Sequence, residues 1–408
     1  PNTLIIFSGD IHEMKDFLSS IGVRPMHIFP ANAMIVYQPN GVPDSVILDN
    51  NNVLAIYHSN VDLNSINAYG GNAQLAGIVF NGFLNPGGID PNSIGSLEND
   101  LLIPSYISSS GQSGGSIGPD TLPNGGPSST ETSAFFIRDV SVNIVLPEST
   151  GCSVCTPSTE DWTQAEINQV YTEIAYGLNW LMAREPSAFI TFTYHNYTQV
   201  PTLYEPITIN STNDSLWIND VMVNNLSITN LGISHVDRVL IFNNNIRVAD
   251  GNDWAVTIFV ADSSNDPDGS FPNGASAYAY LSGPYIVMTY DNGGYTINNM
   301  KAVIAHEFSH SFGALDQYWS SNPNSNPSCN PANNCNQVSG FLSVPNQNCD
   351  NPVQQCLLDV DSIMRNSSSV LFSYPNNLTD IYARGQLGWK DQDNDGIYDT
   401  IDSSLPFN

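Results

Sequence analysis

Positive charge is what this sequence most lacks. Ten Lys and Arg stand against 39 Asp and Glu, a formal net charge of −29 over 408 residues. Such a surface repels phosphate backbones and anionic bilayers, and no basic cluster offsets it, which argues against nucleic acid as a partner. Charge of either sign is sparse at 12% of residues, whereas 41% are hydrophobic, enough for a substantial core. Long apolar runs are missing as well. None approaches the roughly 18 residues of a membrane span, so no span is expected. A signal-peptide pattern is absent and the chain opens at Pro1, which reads as a processed mature chain. Paired C-x2-C knuckles are lacking too: of six cysteines only Cys152 and Cys155 have that spacing, while Cys329, Cys335, Cys349 and Cys356 lie in an Asn- and Pro-rich stretch. A zinc ribbon is therefore disfavoured, and disulfides in an oxidising, extracellular compartment are expected. No thioredoxin-like pattern surrounds Cys152, which speaks against a redox role. Sequons at Asn196, Asn210, Asn213, Asn225, Asn366 and Asn377 permit a secreted glycoprotein.

The length favours more than one domain. Residues 1–63 alternate as strand, helix, two strands, short helix and strand, with Asp10 and Glu13 as a helix-start signal and Gly22 as a stop. That βαββαβ order is ferredoxin-like. It resembles the inhibitor-type prodomains of secreted proteases. The string "FSGDI" at 7–11 is similar to the aspartate switch of astacin propeptides, but reads more simply as a strand end followed by an N-cap. Residues 64–133, dense in Gly, Ser, Asn and Pro, read as a linker or wrapping segment. From 134 to 390 a strand, a long amphipathic helix, a second strand, further helices and three strands lead to the helical stretch "INNMKAVIAHEFSHSFGAL". The fold class expected is α+β, a mixed sheet with long helices.

The chemistry is concentrated in "HEFSHSFGALDQY" (306–318). Positions i and i+4 share a helix face, so His306 and His310 can point both imidazoles at one ion. Glu307, one step round, is placed to exchange a proton with water without ligating. Gly313 can take positive φ, end the helix and turn the chain back. Asp316 follows three residues later. A carboxylate is a competent third partner to two histidines; the lesser reading of Asp316 is a helix C-terminal or loop residue that bonds backbone amides.

H-E-x-x-H-x-x-G-x-x-D resembles the signature of the metzincin metalloproteases, in the snapalysin-like variant with Asp as third ligand. The resemblance covers about 134–390 and implies a zinc-binding active-site helix, with His306, His310 and Asp316 on Zn2+ and Glu307 as general base. It also implies a methionine turn beneath the metal, for which "VDSIMRN" offers Met364. Two residues beyond, where some metzincins carry an oxyanion-binding Tyr, Asn366 stands, with Tyr318 a substitute. The stretch "GASAYAYLSG" (274–283) falls where the family binds substrate as an added antiparallel strand. Residues 319–357 would be a Cys-rich insertion. A metalloprotease outside this clan, with its third ligand elsewhere, is a further reading.

The tail, 391–408, begins with "DQDNDGIYDTID". Asp391, Asp393, Asp395, the Ile397 carbonyl, Asp399 and Asp402 match EF-hand ligand spacing around Gly396, and the loop is similar to those of thrombospondin type 3 repeats and dockerins. Ca2+ is the cofactor expected there. Asp262, Asp266 and Asp268 form a second calcium candidate. The expectation is a secreted zinc endopeptidase acting on peptide or protein substrates. The alternative is an extracellular assembly protein, self-associating in a surface layer or filament, with little turnover.

Overall fold

The computed structural model describes residues 1–85, 127–151, 158–321, 326, 328–331, 334–352, 356–365 and 367–402. The chain begins with β1 (Thr3–Phe7), five buried apolar or small residues. Asp10 then accepts the amides of His12 and Glu13 on one carboxylate oxygen, at 2.8 and 3.0 Å, and so starts α1 (Ile11–Ser20). In "FSGDI", Asp10 is a helix cap. Next come β2 (Arg24–Phe29), β3 (Ala33–Tyr37), α2 (Asp44–Leu48) and β4 (Val53–Tyr57), which pair antiparallel in the order β4-β1-β3-β2.

The stretch expected to be a linker is helical in its first part. After α3 (Leu63–Ile66) comes α4 (Gly71–Leu84), with Ala73, Leu75, Ala76, Val79 and Phe80 buried against the N-terminal strands and α5. Its glycines misled because they serve packing: a Cβ on Gly82 would lie 1.6 Å from the hydroxyl of Tyr176 on α5. The strand expected from residue 134 begins only at Asp139. Phe135 and Phe136 are buried, and Phe136 donates its amide to the Leu387 carbonyl at 2.8 Å.

Five further strands follow, β5 (Asp139–Ser149), β6 (Thr191–Thr202), β7 (Trp254–Ala261), β8 (Ala277–Ala279) and β9 (Tyr285–Thr289). Between them lie α5 (Gln164–Arg184), which opens with a Thr163–Glu166 capping box, α6 (Ser215–Asp220) and α7 (His235–Asp250). β6, β5, β7 and β9 run parallel, and β8 is antiparallel at the edge. β6 also pairs in parallel with β2, so the two sets of strands form one mixed sheet, β4-β1-β3-β2-β6-β5-β7-β9-β8. Across that seam Lys15 meets Asp139 at 2.6 Å, and Arg24 donates to the carbonyls of Pro186 and Ile190. His27 lies 2.8 Å from the Tyr194 hydroxyl, and burial pushes its pKa down to about 3, so it is neutral.

On one face of the sheet α5 packs against α8 (Met300–Ser311), every residue of which is buried. After α8 come the two-residue strands β10 (Val338–Ser339) and β11 (Val344–Pro345), then α9 (Ser367–Asn376) and α10 (Ile381–Gln386). No helix among the described residues is long and apolar enough to cross a membrane.

Candidate metal centre

α8 ends at Ser311, and Gly313 follows with φ +93°. A Cβ there would sit 2.7 Å from the Gly340 Cα, so both the conformation and the space require glycine. The turn carries the chain back under the helix and brings Asp316 to His306 and His310. The three are within 2% of complete burial.

Each histidine is held by its outer nitrogen. His306 Nδ1 lies 2.7 Å from the Ile363 carbonyl oxygen, and His310 Nδ1 2.7 Å from that of Ala314. A carbonyl only accepts, so both Nδ1 atoms carry hydrogen and both Nε2 atoms turn a lone pair inward. Those Nε2 atoms are 3.1 Å apart, and Asp316 Oδ1 is 3.3 Å from each. With neutral imidazoles three acceptor atoms thus face one another, a set that a proton on an imidazole or a metal ion at the centre would satisfy. A tetrahedral ion with bonds of about 2.0 Å spaces its ligands about 3.3 Å apart, so the three donors are near enough to hold one metal ion. Burial alone would raise the Asp316 carboxyl, but His310 and His306 outweigh it and hold it well below the usual carboxylate range. Tyr318 hydrogen-bonds the same carboxylate.

Glu307 is also 1% exposed, and neither of its oxygens has a hydrogen-bond partner. Burial, reinforced by Asp316 and opposed by His306, pushes its carboxyl up to about 7. A group so placed can take up and release a proton near neutrality. Beside His306 and Glu307 a small pocket is lined by Ser276, Ala277, Tyr295, Val303 and Val370. β8 runs along this side. Thr289 donates to the Ser276 carbonyl and Tyr280 to that of Tyr285, so the backbone groups of Ala277 and Ala279 point away from β9. No described strand pairs with that outer edge.

Met364 is buried in a tight turn, in which Arg365 donates to the Ser362 carbonyl at 3.1 Å. That turn supplies the Ile363 oxygen to His306, while the Met364 oxygen accepts the Gln317 amide at 2.8 Å. Asn366 lies outside the described residues.

In the tail, Asp391, Asp393 and Asp395 gather their carboxylates within 4.8 Å. Gly396 turns at φ +90° and donates to Asp391, and Ile397 donates to Asp395 at 2.8 Å. Asp399 faces elsewhere, 3.2 Å from Lys390 and accepting the Gln392 amide. Asp402 is nearly fully buried at the end of the loop. The set Asp262, Asp266 and Asp268 is not brought together. Asp266 accepts the amides of Asp268 and Gly269, and Asp268 accepts that of Ser270, each closing its own turn. Asp262 is buried at the end of β7 beside Ser264.

Cys329 is bonded to Cys349 and Cys335 to Cys356. Cys152 and Cys155 lie outside the described residues. Residues that sequence reasoning passed over are Asn346, which donates to the Asp316 carbonyl from the Cys-rich loop, Asn348, which donates from the same loop to Gln317, and Tyr295, Val303 and Val370 in the pocket. No spacing rule marks an asparagine in an asparagine-rich stretch. Neither a family model nor a curated protein matches this chain.

Proposed function

We propose that the chain is a secreted, zinc-dependent endopeptidase of the metzincin kind. The observation that carries the reading is the triangle of inward lone pairs on His306, His310 and Asp316, with the unpartnered Glu307 carboxylate beside it. Zinc, when bound, would supply Lewis acidity, acidifying water and polarising a carbonyl. Glu307 would take a proton at a carboxylate oxygen and pass it to the leaving amine, for which a pKa lifted toward neutrality is suited. The outward backbone groups of Ala277 and Ala279 would align an extended peptide as an added strand, with one side chain directed to the pocket by Val303 and Val370. The Met364 turn fits the methionine turn of that clan, and the disulfides fit an extracellular setting. The antiparallel order β4-β1-β3-β2 supports a ferredoxin-like N-terminal unit. We extend the proposal to Ca2+ at Asp391, Asp393 and Asp395, whose clustered carboxylates repel one another without a cation.

The near-complete burial of the site favours a second reading: a metal-bearing assembly protein with little turnover. Zinc stoichiometry and casein cleavage, measured for the parent and for Glu307→Ala, separate the two. The peptidase reading expects one zinc in both, with cleavage lost by about 10²–10⁴-fold in the variant. Bound zinc without Glu307-dependent cleavage would support the assembly reading instead.

A further inference from the structure

Asp316 lies beyond the end of α8 in a stretch without regular structure, so its position depends on what grips the peptide around it. Leu315 donates its amide to Gln386 Oε1 at 2.9 Å, and Gln317 donates to Met364. Further grips on the peptide come from the Cys-rich loop. Asn346 Nδ2 donates to the Asp316 carbonyl at 2.8 Å. Asp350 donates its amide to the Gln317 carbonyl at 2.9 Å, and Asn348 Nδ2 donates to Gln317 Oε1 at 2.9 Å. The Trp319 amide bonds the Asp350 carboxylate.

The described part of this loop has little regular structure of its own beyond the β10–β11 pair. Its shape is set by Cys329–Cys349 and Cys335–Cys356, which interleave along the chain over separations of 20 and 21 residues. Cys349 stands between Asn348 and Asp350, so one bridge closes at the residues that hold Gln317. Asn346 is fully buried, and its amide is anchored on the Gln337 carbonyl at 2.8 Å.

We infer that the described residues of the disulfide-bonded loop, 334–352, are the positioning element of the metal site, with Asn346 as the positioning residue that sets the Asp316 peptide, and that affinity for the metal depends on them. The inference rests on the zinc reading. Chemically it follows from the nature of the third donor. The histidines are fixed by a rigid helix and by their Nδ1 bonds, whereas Asp316 has no such frame. A ligand that can drift by an ångström contributes little affinity, and partners that orient metal ligands are worth about 10–100-fold in binding.

The experiment measures zinc affinity by chelator competition, and the visible absorption of the Co2+-substituted protein, for the parent, Asn346→Leu and Cys329→Ala/Cys349→Ala. Leu keeps the branched outline of the side chain and removes the amide donor. Asn346→Leu should weaken zinc about 10–100-fold and alter the Co2+ bands, while the melting temperature of the metal-free form stays close to that of the parent. The double cysteine variant should behave alike; if it does not fold, the asparagine variant decides alone. Parent-like zinc affinity and an unchanged Co2+ spectrum in Asn346→Leu would overturn the inference and leave the zinc reading standing. A parent that binds neither metal would overturn both.

Discussion

Glu307 shows how one side chain can be legible in type and illegible in state. Its place after His306 was readable from helix geometry, but the solitude of its carboxylate depends on Asp316 and on the walls of the pocket. Asp316 was readable as a candidate third ligand only, because an Asp past a helix end also serves as a backbone acceptor. Asp262, Asp266 and Asp268 are that case, each spent on a local turn or left at a strand end. Asp316→Ala should lower zinc affinity by orders of magnitude in chelator titrations; full retention would place the third ligand elsewhere. Gly313→Ala tests the turn. It meets both a φ of +93° and the Gly340 backbone, a strain of about 1–3 kcal/mol, and should lower the melting temperature by several degrees while weakening zinc.

Among the elements, α8 was found through its motif and not through periodicity, since a helix buried on all sides has no polar face to alternate with. α4 was missed for a related reason. Its Gly and Asn content reads as linker, yet those small residues allow close approach to α5. β8 was legible as a strand, and its edge position emerges only from the sheet order. Ala279→Pro removes one outward amide from that edge and leaves the metal ligands untouched. The loss of one hydrogen bond, about 1 kcal/mol, should raise KM for a peptide substrate roughly fivefold with zinc content unchanged. An unaltered KM would mean that the substrate does not lie along β8.

For the molecule as a whole, the union of two strand sets was beyond sequence reasoning, because the β2–β6 contact joins residues some 165 positions apart and leaves no local trace. It places the first 57 residues at the end of the sheet opposite β8. The seam residues Lys15, Arg24 and His27 are internal contacts of one fold, so a chain cut at a protease site engineered within 86–126 should still elute as one species and separate only in denaturant. The excess of acid has its own signature. Burial pushes the carboxyls of Glu173 and Glu205 up to about 7 and that of Asp262 up to about 6, against opposition from Lys301, from the Thr159 and Glu160 amides, and from Ser264 respectively. Their folded values exceed the unfolded ones near 4, so the stabilisation is complete below pH 4 and lost as pH rises through 6–7. Metal-free protein should therefore melt at a higher temperature at pH 5 than at pH 7.5, and Glu173→Gln should flatten the difference.

The brace behind Asp316 also sets an order of events in the life of the molecule. His306 and His310 lie on one helix, but the third donor is held through Asn346, Asp350, Met364 and Gln386, residues from the last quarter of the chain. On the proposed metal reading, a chain that still lacks these residues would offer an ion the histidine pair without a braced third donor. Closure of the disulfide-bonded loop and of the C-terminal elements would, on that reading, precede full assembly of the ligand set.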